Sequence, residues 1–351
     1  MRIAVFGAGS WGTALAVALA EKKKQVTLWA RRADAAATMA RTRHNPTYLP
    51  DTALPEAVRV TSDLREAAQS ADFWVVATPS QAVRRVAQQL AALARPGLTV
   101  VSVAKGIEND TLMTTTQALA DVLPDEADGG PPREQIGAVY GPSHAEEVAA
   151  RLPTTVVAAA PTLAVAERIQ QAFMTPRLRV YANTDLVGVE VAGSVKNVLA
   201  IAAGISDGAG WGDNAKAALL TRGLAEIRRL GCAMGARSET FAGLAGIGDV
   251  IVTCTSRHSR NRALGQRIGE GRSLPEIEAT MDMVAEGVRT TASARELAAR
   301  HDVDMPITEA VHAVLFEGAD PAGRVEALMT REAKREMRFA GHGGMRERER
   351  G

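Results

Sequence analysis

The sequence predicts an α/β fold, a doubly wound sheet in the first half of the chain followed by an all-α second domain. Three observations carry that reading. The chain has 351 residues, long for a single hydrophobic core, so two domains are expected. Up to about residue 180, short β-rich runs alternate with helical stretches, the βαβα rhythm of a parallel, doubly wound sheet. From about Asp185 onward only helical patterns with glycine-rich breaks remain. The boundary therefore falls near 180–185, giving domains 1–183 and 184–338. The polar, glycine-rich tail 339–351 is expected to be disordered.

The first strand is Ile3–Phe6, and it runs into Gly7-Ala8-Gly9-Ser10-Trp11-Gly12 and a helix over Trp11–Lys22. This G-x-G-x-x-G stands where a dinucleotide site needs it, between a strand and a helix. Gly7 permits the tight turn, Gly9 lets a pyrophosphate approach the backbone, and Gly12 lets the helix sit close to the sheet. The helix N-terminus adds free N–H groups and partial positive charge. The domain is thus expected to be of Rossmann type. The second strand, Val26–Trp29, leads to Arg31 and Arg32 where an NAD-specific site usually carries a carboxylate. Two guanidinium groups suit a 2′-phosphate, which favours NADP(H) and leaves NAD(H) open.

Further strands are expected at Val58–Thr61, Phe73–Ala77, Leu98–Val103, Ile136–Tyr140 and Thr155–Ala159, each with an apolar core suited to burial on both faces. Helices are expected between them at Ala33–Arg43, Leu64–Ala68, Gln81–Ala94, Leu112–Val122 and His144–Ala149, with Asp125–Pro132 a surface loop. The second domain should hold helices at Leu186–Ile205, Asn214–Met234, Arg262–Gly269, Val288–Arg300 and Thr308–Glu317. Aromatics are only 4% and alanine is plentiful, so these helices should pack on small side chains.

Composition excludes several classes. A formal net charge of +1 argues against a nucleic-acid binder. Two cysteines, Cys232 and Cys254, make no disulfide framework and fit a reducing cytoplasm. The chain enters a strand at once, so no cleavable leader is expected. No apolar run is expected to span a membrane, which needs ~20 residues; the best candidate, Val195–Ile205, is short and contains Lys196 and Asn197. The six histidines do not fall at metal-ligand spacings, so no metal is expected.

Chemistry gathers at the carboxyl edge of the sheet and in the first long helix beyond it. Lys105 directly follows the strand Leu98–Val103, and Gly141-Pro142-Ser143-His144 follows the next one. Open α/β sheets bind their ligands at that edge. Lys196 and Asn197 lie in an unusually apolar helix, so the lysine either snorkels to solvent or is held for chemistry. Burial and a second ammonium nearby would lower its pKa into the range of a usable acid. Asp249 follows Gly246-Ile247-Gly248, and Ser259-Arg260-Asn261 at a probable helix start suits a phosphate dianion.

Together these segments resemble the bacterial NAD(P)-dependent glycerol-3-phosphate dehydrogenase family. The matching motifs are GAGSWGTALA, VSVAKGIE, YGPSHAEEV, EVAGSVKNVLAIAAGI, AGLAGIGDVIVTCTS, SRNRALG and VAEGVRT, in that order from Met1 to about Phe339. The resemblance implies reversible hydride transfer between NAD(P)H and dihydroxyacetone phosphate, giving sn-glycerol 3-phosphate for phospholipid synthesis. It implies Lys196 as proton donor and acceptor, Lys105 touching substrate and cofactor, and catalytic support from Asp249 and Asn197. It places Gly141, Ser143, Asp249, Ser259, Arg260 and Asn261 at the substrate. Gly7, Gly9, Ser10, Trp11, Gly12, Arg31, Arg32, Lys105, Ala145, Arg260, Val284 and Glu286 are implied at the cofactor. A cytoplasmic homodimer is also implied. The nearest rivals are a two-domain hydroxy-acid or keto-acid dehydrogenase, whose arginine would face a carboxylate, and a non-catalytic NADP sensor.

Overall fold

The computed structural model describes residues 1–21, 24–69, 71–281 and 285–333. The expectations for Val284 and for the tail 339–351 lie outside these residues.

Among the described residues there are ten strands: β1 (Arg2–Phe6), β2 (Gln25–Trp29), β3 (His44–Asn45), β4 (Leu49–Ala53), β5 (Val58–Thr61), β6 (Phe73–Val76), β7 (Thr99–Ser102), β8 (Ile136–Tyr140), β9 (Thr154–Ala159) and β10 (Leu178–Asn183). Among them run the helices α1 (Ser10–Ala20), α2 (Ala33–Thr42), α3 (Leu64–Gln69), α4 (Val83–Leu90), α5 (Thr115–Val122), α6 (Ala145–Ala149) and α7 (Leu163–Phe173). Eight strands form one sheet in the order β10-β9-β8-β7-β6-β1-β2-β5, with β3 and β4 a separate hairpin. The chain leaves β1 toward one edge through β2 and β5, then returns to β6 and works toward the other. The crevice at the carboxyl ends of β1 and β6 is therefore the switch point where doubly wound sheets bind ligands.

The strands are apolar on both faces because both are covered. Ile3, Val5, Val75 and Val101 pack under α1, α2 and α7, while Phe6, Trp74, Val76 and Val100 pack under α3, α4 and α5. Phe6 and Trp74 meet edge to face at 5.9 Å, closing the second layer beneath the switch point.

The sheet is not wholly parallel, contrary to the expectation from the βαβα rhythm: β8 and β9 run antiparallel. The connection between them contains only the five-residue α6. That helix packs on α1 instead of crossing the sheet, and a parallel return needs a full crossover. Neither β10 nor α7 is among the sequence expectations, and neither are β3, β4, α10, α12 and α15. In β10, Leu178 and Val180 point inward while Arg179 and Tyr181 face water, the alternation of an edge strand. In α7, Val165, Ala166, Ile169, Ala172 and Phe173 form one buried stripe at helical spacing behind the N-cap Thr162.

Beyond β10 the structure is helical: α8 (Leu186–Gly208), α9 (Gly212–Ala233), α10 (Asp249–Thr255), α11 (Arg260–Gly269), α12 (Leu274–Glu278), α13 (Glu286–Arg300), α14 (Pro306–Phe316) and α15 (Pro321–Met329). The expectation that no apolar segment is long enough to span a membrane fails on length. Helix α8 has 23 residues and contains an 18-residue window of mean hydropathy 1.5, yet 89% of that window is buried inside the protein. It is the core helix of this half, enclosed by α9, α10, α11 and α13. Its contact with α11 runs through glycines. A Cβ on Gly204 would overlap the Arg262 carbonyl, and one on Gly265 would overlap the Ile201 carbonyl. Backbone-to-backbone approach thus sets Lys196 and Asn197 on α8 beside Arg260 and Asn261 on α11.

Candidate active site

A cleft of about 630 Å³ opens at the switch point and runs from the glycine loop to α8 and α11. Gly7 has φ +122°, and a Cβ there would stand 2.6 Å from the Ala77 carbonyl oxygen. A Cβ on Gly12 would overlap the Gly7 carbonyl. The loop and α1 are therefore drawn tight against the turn that follows β6. A Cβ on Gly9, in contrast, would meet nothing within 4 Å, because it faces the open cleft. Arg31 and Arg32 stand exposed on the cleft wall at the end of β2 and the start of α2. Among the described residues, the buried Trp11 Nε1 and Thr78 Oγ1 have no hydrogen-bond partner, and both residues line the cleft. A glycine loop open at its middle, a helix N-terminus, two guanidinium groups and unsatisfied donors together fit a dinucleotide phosphate.

At the inner end three charged side chains from separate segments meet. The Asp249 carboxylate, 1% exposed, accepts from Lys196 Nζ through Oδ1 and from Lys105 Nζ through Oδ2, the latter at 2.8 Å. Lys105 also donates to the Gly141 carbonyl at 2.8 Å, and Lys196 to Thr253 Oγ1 at 2.6 Å. Thr253 in turn donates to the Asp249 carbonyl at 2.6 Å, one turn back along α10. Burial is the main cause that brings the Lys196 ammonium down to about 7; the charge of Asp249 opposes the fall and that of Lys105 adds to it. Lys196 therefore does not snorkel. Its helix buries it, and it points at a carboxylate.

Alongside, Asn261 Nδ2 donates to Asn197 Oδ1 at 3.0 Å, while Asn261 Oδ1 accepts from the Gly287 N–H at 2.9 Å. Ser259 caps α11, accepting from the Arg262 N–H, so Arg260 is that helix's first residue. The Ser143 hydroxyl donates to the Gly141 carbonyl at 3.0 Å. Glu286, at the start of α13, accepts from the Ser80 N–H at 3.1 Å and from its hydroxyl, linking the helical half to the turn after β6. Burial raises the Glu286 carboxyl, while the Ser80 hydrogen bonds and the charge of Arg260 oppose.

The residues expected from sequence divide into two layers. Gly7, Gly9, Ser10, Trp11, Arg31, Arg32, Lys105, Ser143, Ala145, Lys196, Asn197, Ser259, Arg260, Asn261 and Glu286 line the cleft. Gly12, Gly141 and Asp249 stand behind the wall, the last two engaged by the lysines. Sequence reasoning missed the β3–β4 hairpin, whose Asn45 donates to the Ala8 carbonyl and to Thr13 Oγ1, and whose Tyr48 carbonyl accepts from Ser10. It also missed Thr253, Ser80 and the imidazole of His144. His144 Nε2 is buried with no partner among the described residues, and burial, then the charge of Lys196, hold the ring below its ordinary pKa. Only the Asn-Pro turn at Asn45-Pro46 offered a signal for the hairpin.

Two family profiles match the chain. The NAD-dependent glycerol-3-phosphate dehydrogenase N-terminus matches residues 2–166, and the C-terminus of the same family matches residues 185–326. The chain is 65% identical over 334 residues to glycerol-3-phosphate dehydrogenase [NAD(P)+] 2 of Salinibacter ruber, covering 95% of this chain and 96% of that protein. It is 52% identical over 335 residues to glycerol-3-phosphate dehydrogenase [NAD(P)+] of Geobacter sulfurreducens, covering 95% and 98%. Among solved structures it resembles glycerol-3-phosphate dehydrogenase from Coxiella burnetii, with TM-score 0.88 and 38% identity over 94% of this chain and 99% of that one.

Proposed function

The chain belongs to the NAD-dependent glycerol-3-phosphate dehydrogenase family, and on that premise we propose that it interconverts dihydroxyacetone phosphate and sn-glycerol 3-phosphate with a nicotinamide dinucleotide. The observation that carries this reading is the pair Lys196 and Lys105 sharing Asp249 at the inner end of a dinucleotide-shaped cleft. When bound, reduced nicotinamide supplies the hydride for C2 of the ketone. Negative charge then grows on the C2 oxygen, and Lys196 donates a proton to it. With its pKa brought to about 7, Lys196 serves as acid in reduction and as base in oxidation. Lys105, fixed by Gly141 and Asp249, holds positive charge toward the same oxygen, and Asn197, fixed by Asn261, orients it.

Gly141, Ser143, Asp249, Ser259, Arg260 and Asn261 are assigned to the substrate. Gly141 and Asp249 act from behind the wall by placing Lys105. Arg260, at the N-terminus of the ten-residue α11, takes the phosphate, and that remote grip positions the reacting carbon. Gly7, Gly9, Ser10, Trp11 and Gly12 are assigned to the cofactor pyrophosphate, with Lys105, Ala145, Arg260 and Glu286 toward its nicotinamide side; Val284 is assigned to the cofactor from the sequence motif alone. Arg31 and Arg32 favour NADP(H), because no carboxylate stands at the end of β2. We further propose that the protein acts as a cytoplasmic homodimer and supplies glycerol 3-phosphate to phospholipid synthesis.

The test mixes the purified protein with dihydroxyacetone phosphate and follows nicotinamide absorbance with NADPH and NADH in parallel. Oxidation that depends on this ketone, and not on a carboxylated ketone such as pyruvate, supports the reading. A folded protein that binds NADPH but oxidises it with neither ketone is a sensor. Oxidation with the keto acid alone moves the substrate to that class.

A further inference from the structure

We infer that Glu190, on α8, is a positioning residue for the proposed reaction: it docks the helix that carries Lys196 onto the strand end that carries Lys105. Glu190 is 1% exposed and lies six residues before Lys196 on the same helix, about 9 Å along the axis at ~1.5 Å per residue. Its carboxylate accepts from Thr114 Oγ1 at 2.8 Å, from Thr115 Oγ1 at 3.0 Å, from the Thr116 N–H at 2.9 Å and from the Thr116 hydroxyl. All four are donors, a set that an ionised carboxylate satisfies. Three consecutive residues at the N-terminus of α5 thus close on one carboxylate from the other half of the molecule.

The same threonines lead to Lys105. Thr115 donates to Glu190 and accepts from Ser102, whose hydroxyl lies 2.6 Å away at the end of β7. The Tyr140 hydroxyl, 3.0 Å from Thr115 Oγ1, donates to the carbonyl of Ala104, the residue before Lys105. The Tyr140 ring lies against α8: a Cβ on Gly193 would stand 2.5 Å from it, and Lys105 Nζ sits 6.0 Å from its centroid. Glu190 contacts neither lysine in this network. It fixes both backbones from which the lysines reach Asp249, and among the described residues no cation is one of its hydrogen-bond partners. That makes it an expensive group to bury for packing alone.

The inference rests on the reading of Lys196 as the acid, so its test has a readout independent of turnover. Lysine labelled with 13C at Cε reports the titration of Lys196, its signal identified by its loss in Lys196→Ala. Glu190→Gln keeps the shape but turns an N–H group toward converging donors. The two halves then shift, Lys105 draws back from Asp249, and Lys196 loses a repelling neighbour. The expected result is a Lys196 titration raised by about one pH unit, with kcat lowered roughly 10- to 100-fold, the scale of a misplacement of about 1 Å. A folded variant with lowered Tm but unchanged Lys196 titration and kcat overturns the proposal and leaves Glu190 a stability residue. Where Glu190→Gln does not fold, Thr114→Val removes one donor from the opposite side of the contact. The same titration should rise there by a smaller amount, and an unchanged one overturns the proposal. Wild-type enzyme that ignores dihydroxyacetone phosphate sinks the substrate assignment, while the titration still decides the role of Glu190.

Discussion

Replacing Asp249 by Asn removes one negative charge from between two ammonium groups and keeps the shape. The carboxylate accepts from Lys105 at 2.8 Å and from Lys196 directly, with 1% exposure. Taking ~4 Å between charge centres and an effective dielectric constant of about 20, the carboxylate stabilises the Lys196 ammonium by about 4 kcal/mol. At 1.36 kcal/mol per unit that is about 3 pKa units. Burial and Lys105 continue to act in the variant, so the Lys196 pKa should fall from about 7 to roughly 4. At pH 7 about half of Lys196 carries its proton in the parent enzyme; in Asp249→Asn only about one molecule in a thousand would.

The assay is the pH dependence of kcat/KM for ketone reduction, which reports ionisations of the free enzyme. In the proposed mechanism reduction needs the protonated lysine, so activity is held below the Lys196 pKa and lost above it. That descending limb should sit near 7 in the parent and move well below 5 in the variant, with activity at pH 7 down about 100- to 1000-fold. Ionisation of the substrate phosphate is common to both proteins and cancels in the comparison. Lys105 loses its ion-pair partner and Lys196 is driven to its neutral form, so stability should drop, by up to about 3–5 kcal/mol, checked by thermal melting in parallel. A folded Asp249→Asn enzyme whose limb stays near 7 would falsify the argument, because either Lys196 is not the titrating acid or Asp249 does not set its charge.

Three further outcomes test the assignment of roles. Lys196→Ala should lower turnover by about 100- to 10,000-fold, the contribution of a positioned proton donor, with NADPH affinity by fluorescence titration retained; near-normal turnover removes Lys196 from the chemistry. Arg260→Ala should raise KM for dihydroxyacetone phosphate by about 10- to 100-fold, the loss of a charge-assisted hydrogen bond of roughly 1.5–3 kcal/mol, and an unchanged KM puts the phosphate elsewhere. The double change Arg31→Ala and Arg32→Ala should lower kcat/KM with NADPH by at least about tenfold and spare NADH; equal losses with both cofactors would count against a 2′-phosphate contact.

Much of this was legible in the sequence because it is imposed locally. GAGSWG is fixed by backbone geometry, since Gly7 and Gly12 have no room for a side chain. The apolar runs of β1, β6 and β7 follow from burial on both faces. The direction of β9 was not legible, because it depends on where the five-residue α6 packs and not on the residues of β9 itself. The strand β10 hides because only one of its faces is buried. Within the site, Lys105, Lys196 and Asp249 are each visible as chemistry-bearing residues, but their meeting is a tertiary fact between segments 53 and 144 residues apart. The hairpin residues Asn45 and Tyr48 escape notice for a different reason. One acts through a side-chain amide and the other through a backbone carbonyl, and neither use marks the sequence.

The sharing of one carboxylate by two lysines bears on reversibility. Burial alone, in an α8 that is apolar along most of its length, would leave Lys196 neutral and able only to take a proton. Asp249 alone would hold the proton too firmly for Lys196 to give it up. The second ammonium, Lys105, draws on the same carboxylate from its other oxygen and weakens that hold. The balance leaves Lys196 near 7, where both protonation states are well populated at neutral pH and neither direction of the reaction waits on a rare form. Such a balance tolerates little movement, since each opposing term varies with distances of a few ångströms. That sensitivity is a physical reason for the glycine-to-backbone contact between α8 and α11 and for the four-donor clasp on Glu190. In the proposed mechanism the rigidity of α8 is then part of the acid–base chemistry, and changes in these contacts should register first in the pH profile.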